Sequence, residues 1–196
     1  MPACAPLQVK PMVGDMSPGE TLHLKVANVT IKNHASEETF VSGLSSEPQP
    51  IQRGVQGQFH ALLLKELAQL LQPEGGYADS KLKATALLNK ASVKMTNQFI
   101  KFVPFAGFLF LGLDEQFIAT AEGAVEIEDG DGRVLRTAAF KVEAKEIGKN
   151  AFEEQILENV NKVIGKAILE LRTQISSVGR RYLYEYVDQR TQHMKK

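Results

Sequence analysis

Cysteine is nearly absent: Cys4 is the only one in 196 residues. An intramolecular disulfide framework and a cysteine-based zinc cluster are therefore excluded. Charge of one sign is not in excess either, since 23 Lys and Arg stand against 23 Asp and Glu. That balance supplies no whole-molecule field to gather nucleic acid or an anionic membrane surface. No apolar run reaches the roughly 18–20 residues that cross a bilayer as a helix. His23, His34, His60 and His193 are scattered without ligand spacing, and His60, beside an apolar stripe, reads as a boundary residue rather than a metal ligand. A phosphate loop, a dinucleotide fingerprint and a nucleophile elbow are all missing. No enzyme activity, cofactor, metal or nucleic-acid partner is expected.

What is present suffices for a core. With 43% hydrophobic and 23% charged residues, the chain has the composition of one folded domain. Residues 1–20 carry Pro2, Pro6, Pro11, Gly14, Pro18 and Gly19 with few periodic apolar positions, and read as a flexible tether. Residues 21–178 then read as a single α+β domain, and 179–196 as a basic C-terminal tail.

Within the domain, Leu22, Leu24 and Val26 alternate through β-branched neighbours, predicting a strand over 21–31. Residues 32–58 form a long polar connection, with room for a short strand at 39–41. Phe59, Leu62, Leu63, Glu66, Leu67, Leu70 and Leu71 then fall at helical spacing, and Pro73 with Gly75-Gly76 ends that helix. Over 81–100, Leu82, Ala84 and Ala86 alternate, and then Val93 and Met95 do, which reads as a long or broken strand. Residues 116–128 and 133–146 alternate cleanly around Glu128-Asp129-Gly130-Asp131-Gly132, whose Asp-Gly supplies the positive φ of a tight turn: an antiparallel hairpin. A second helix is expected over 151–177, capped by Asn150, with Glu153 three residues on. Phe152, Ile156, Val160, Val163, Ala167, Leu171 and Ile175 form its stripe, widened by Leu157, Ile164 and Ile168. So broad a stripe calls for cover on more than one side. The tail after Gly179 can continue helically, with Tyr182, Leu183 and Tyr186 as its adhesive side.

The order β-α-β-β-β-α predicts a mostly antiparallel sheet of about four strands, with two long helices on one face. The other face is left for solvent or a partner.

Three features bear on function. Cys4 follows Ala3, the small residue a bacterial lipobox places before its acylated cysteine, so Cys4 is a candidate lipidation site at the head of the tether. A free thiol on a frayed end is the plainer reading. Ala5 after the cysteine resembles lipoproteins sorted to the outer membrane. Residues 102–113, FVPFAGFLFLGL, hold four of the ten phenylalanines and no charge. They are too short to span a bilayer, and Pro104, Gly107 and Gly112 oppose a regular element. Phe102, Phe105, Phe108, Leu109, Phe110 and Leu111 are accordingly candidates for contact with protein, within this chain or between chains, or with membrane. The DGDG turn invites a calcium reading, but an EF-hand needs an oxygen ligand at the fifth position and glycine at the sixth, where Arg133 and Val134 stand. Asn28-Val29-Thr30 matches a glycosylation sequon only at chance level.

The helix GQFHALLLKELAQLL near Gly-Gly-Tyr, the long strand, the hairpin EIEDGDGRVLR and the helix NAFEEQILENVNKVIGKAILEL resemble small envelope lipoproteins of the YajG type over residues 55–178. More loosely they resemble the LptE type and transport-auxiliary lipoproteins. The resemblance implies a periplasm-facing domain tethered to the outer membrane as accessory to a larger assembly, with Cys4 as acylation site and no catalytic residues. The expected function is thus a non-enzymatic, lipid-anchored periplasmic interaction protein of an envelope assembly or transport system. It would bind a protein partner or itself through the open sheet face, the 102–113 stretch, or both. An apolar-ligand carrier and a structural subunit of an oligomeric secretion or export channel are the alternatives.

Overall fold

The computed structural model describes residues 8–17, 19–38, 48–51, 54–77, 79–96, 114–149 and 152–193, with side chains as far as Ser177. Five strands and two helices follow in the order β1 (Asn28–Asn33), β2 (Gln49–Pro50), α1 (Val55–Leu70), β3 (Lys83–Met95), β4 (Asp114–Glu128), β5 (Val134–Lys149) and α2 (Glu153–His193). The sheet order is β1-β3-β4-β5, with β2 also on β3. β3, β4 and β5 form an antiparallel meander, whereas β1 runs parallel to β3, so the sheet is mixed. This is the expected α+β architecture.

Alternation decides which face is buried. Phe117, Ala119 and Ala121 of β4 and Phe140, Val142 and Ala144 of β5 point at the helices. β3 changes parity midway: Ala84, Ala86 and Leu88 face inward, then Ala91, Val93 and Met95 do, because a bulge between Leu88 and Lys90 inserts Asn89. The two out-of-phase alternations in the sequence belong to one strand carrying one extra residue.

Val55, Phe59, Leu63, Leu67 and Leu70 of α1 are fully enclosed, as are Val160, Val163, Ile164, Ala167 and Leu171 of α2. Phe152, expected at the head of the α2 stripe, is instead 68% exposed, since it precedes the first helical turn. The broad stripe of α2 is covered by the sheet, by α1 and by residues 8–17. That last stretch, read from its prolines and glycines as tether, is laid against the helices: Val9 N–H donates to Gln58 Oε1 at 2.7 Å, Lys10 N–H to Asn161 Oδ1 at 2.7 Å, and Pro11, Met12 and Val13 lie over Gly165. Residues 1–7, with Cys4, lie outside the described residues, as does Asn150.

The strand expected over 21–31 begins only at Asn28. Leu22, Leu24 and Val26 are buried, but His23 has φ +41°, which breaks extended geometry. Leu22 N–H goes to the Leu70 carbonyl and Leu24 N–H to that of Gln72, so this stretch closes the carboxyl end of α1 rather than joining the sheet. The possible strand at 39–41 lies outside the described residues. Helix α2 continues past Gly179 to His193, so the tail is helical.

Candidate functional site

A sheet with free edges exposes rows of unpaired N–H and C=O groups. Here helical side chains reach parts of those rows on β3 and β5. β1 pairs with β3 only as far as Leu88. Beyond it, Gln56 of α1 accepts from the Val93 amide at 2.9 Å, and its Nε2 donates to the Val93 carbonyl at 2.6 Å and the Ile51 carbonyl at 3.2 Å. One turn on, His60 Nε2 donates to the Ala91 carbonyl at 2.9 Å. His60 is therefore buried as an edge seal, not poised at a boundary. Along β5, Gln174 of α2 accepts from the Lys141 amide at 3.1 Å and donates to the Lys141 carbonyl at 2.8 Å. Lys166 reaches the Lys145 carbonyl at 3.4 Å, and Asn159 that of Lys149 at 2.8 Å. A primary amide presents donor and acceptor side by side, as a peptide of a neighbouring strand would.

The seal along β5 stops at Lys141. The ladder with β4 is regular from Arg136 to Lys149, so Thr137 and Ala139 share the parity of Lys141 and turn their N–H and C=O groups to the open side. Among the described residues no hydrogen bond is made to that side of either, and both are exposed. Beside this edge, between β5 and α2, a cleft of about 60 Å³ opens into the core. Leu22, Leu24, Leu71, Val125, Ile127, Ala138, Phe140 and Ile175 line it, with Arg136, Thr137 and Gln174 at its polar rim. Ligand pockets for drug-sized molecules run to roughly 300–1,000 Å³, so the cleft has room for a side chain and not for a lipid tail.

Across the outer side of the helices lies the main buried charge. Arg172 Nε of α2 donates to Glu66 Oε2 of α1 at 2.8 Å, and Arg172 Nη1 donates to the Gly14 carbonyl at 2.9 Å. The polar residue interrupting the α1 stripe is thus half of an ion pair joining both helices and the 8–17 strap. On the far face of the sheet, charges pair across strands or along one: Lys141 with Glu122 at 3.2 Å, Lys145 with Glu143 at 2.7 Å. Lys145 holds the Glu143 carboxyl below its ordinary range, and Glu158 holds Lys162 above its own. Both are solvated pairs of the kind that contribute little.

The candidate contact residues Phe102, Phe105, Phe108, Leu109, Phe110 and Leu111 lie outside the described residues, as does Cys4, the candidate acylation site. The structure does place what flanks them. β3 ends and β4 begins at one pole, where Thr96 N–H donates to the Gln116 carbonyl at 2.9 Å. Gln58 and Asn161, which hold Val9 and Lys10, stand in the amino-terminal turns of α1 and α2 at that same pole. Phe152, and Ile147 at 67% exposure, are there too. At the opposite pole the Asp129 side chain accepts from the amides of Asp131 and Arg133, Gly132 N–H donates to the Asp129 carbonyl, and Gly132 takes φ +80°. The acidic turn spends its carboxylate on its own backbone. Among the described residues no three His, Cys, Asp or Glu side chains converge as for a metal, and no helix is long and apolar enough to cross a membrane.

No protein-family model and no curated protein matches the chain. Among solved structures it is similar to a protein from Caulobacter crescentus CB15 provisionally described as a lipoprotein: 8% identity, 84% of this chain, 96% of the other, TM-score 0.43.

Proposed function

We propose that this chain is a non-enzymatic accessory protein of a bacterial envelope, anchored through an acylated Cys4 on the periplasmic face of the outer membrane and acting by contact with a protein partner. The supporting observation is the pole at which the described chain starts. Gln8 is fixed beside the amino-terminal turns of both helices by its neighbours Val9 and Lys10. Cys4 stands four positions before Gln8, a span of roughly 14 Å at full stretch. Acylation of Cys4 would hold this pole close to lipid, together with exposed Phe152 and Ile147 and with Thr96 and Asp114, the flanks of the apolar 102–113 sequence. Several acyl chains on one cysteine give firm anchoring, each buried CH₂ contributing about 0.8 kcal/mol. The carrier alternative has less in its favour: among the described residues the apolar cleft of about 60 Å³ is far below the volume of a lipid chain, and a larger hollow of about 370 Å³ is lined mostly by polar side chains such as Glu20, Arg172 and Thr173.

The experiment is expression from the native gene, with whatever codons precede Met1, in bacteria fed radiolabelled palmitate. The wild type is expected to carry label and sediment with outer membranes, and Cys4→Ala to do neither. A full-length wild type that is unlabelled and unsedimented defeats the proposal.

A further inference from the structure

The geometry points to the hairpin half of β5 as the docking edge for an extended segment of a partner protein, added as a sixth strand with one apolar side chain in the adjoining cleft. Three observations converge there. First, Gln174, Lys166 and Asn159 reach every second outward residue of β5 from Lys141 to Lys149, whereas Thr137 and Ala139 are two outward residues in succession that no described side chain reaches. A strand added to an edge needs consecutive outward groups free of side-chain cover, and on β5 that stretch is Thr137 to Ala139. Second, the bare stretch borders the apolar cleft, whose wall includes Ala138 and Phe140 on the same strand and Ile175 on the helix. In strand addition, main-chain bonds give affinity and a pocket for alternate side chains gives specificity, and here the two adjoin. Third, open main-chain groups call for a strand, and an adjoining apolar cleft of about 60 Å³ suits one aliphatic side chain of it, so the occupant proposed is an extended peptide with an apolar residue facing inward and polar ones facing out.

This surface lies at the pole opposite Gln8, so a partner bound there would face away from the anchoring membrane. The inference deepens the interaction half of the proposed function and does not depend on Cys4: acyl labelling can fail with this site intact, and the reverse.

The test uses the full unacylated chain. Phage-displayed random heptapeptides are selected against it, and a selected peptide is synthesised and titrated. Amide exchange of the complex should show new protection at Thr137 and Ala139. Thr137→Pro removes an outward donor at an edge position where proline is tolerated, and Ala138→Phe fills the cleft. Each is expected to weaken the peptide at least about tenfold, which is roughly 1.4 kcal/mol. Unchanged affinity in Ala138→Phe overturns the site, even should Thr137→Pro not fold. So does protection at other strands, or failure to select any peptide tighter than about 1 mM.

Discussion

Gln174 on α2 grips the Lys141 peptide of β5 at both ends, its oxygen 3.1 Å from the amide nitrogen and its nitrogen 2.8 Å from the carbonyl oxygen. The side chain stands where a sixth strand would otherwise lie. Gln174→Ala removes two neutral hydrogen bonds from a partly hydrated edge, each worth about 0.5–1.5 kcal/mol net, along with a partly solvated one to Glu170 Oε1 at 3.0 Å within the helix. Urea unfolding should show a loss of about 1–2 kcal/mol. Exchange of the Lys141 amide should quicken while Val142, bonded inward to β4, stays slow. Equal acceleration at both would mean that the strand, not its edge, had loosened.

Glu66 and Arg172 make a different case because both are nearly dry, with side-chain exposures of 10% and 7%. Removing one partner strands a buried charge, so Glu66→Leu or Arg172→Met alone should cost about 3–5 kcal/mol. Arg172→Met also takes the donor from the Gly14 carbonyl, which should speed proteolysis within 8–17. The double replacement keeps the volume and removes both charges, so its stability should return to within about 1–2 kcal/mol of wild type. A strictly additive double mutant in urea would show that the two side chains do not act as a pair.

Much of this fold can be read from residue pattern, and the exceptions have physical causes. The β4–β5 hairpin and both helices announce themselves through periods of two and 3.6, since burial on one face leaves that trace directly. The bulge at Asn89 is also written there, as a change in the parity of alternation, though it looks like a broken strand until β4 is seen to pair across it. Leu22, Leu24 and Val26 mislead, because burial at alternate positions does not require a ladder; their amides go to the carbonyls of Leu70, Gln72 and Leu24 instead. The open stretch at Thr137 and Ala139 leaves no such trace. It stands out because Gln174, Lys166 and Asn159 reach alternate outward residues from Lys141 to Lys149 and none reaches Thr137 or Ala139, and a polar residue on a helix does not declare which strand it will reach. The faint signal is polar residues with amide or amine groups, Asn159, Lys166 and Gln174, recurring every seven or eight positions beside an apolar stripe.

Gly123 tests how rigidly the centre of the sheet is set. It sits opposite Phe140 in β5 and Leu88 in β3, next to the bulge. A Cβ there would lie 2.1 Å from the Leu87 carbonyl oxygen and 2.4 Å from Phe140 Cζ. The ring covers the glycine, filling the space a side chain would take. Gly123→Ala must therefore move both a ring and a backbone, and overpacking of this kind costs about 1–3 kcal/mol or more. Phe140→Leu should relieve the ring part only. The double variant Gly123→Ala with Phe140→Leu is expected to remain less stable than Phe140→Leu alone, because Leu87 is main chain locked between β1 and β4. Equal thermal stability of those two would mean that the Asn89 bulge can migrate and take the strain with it.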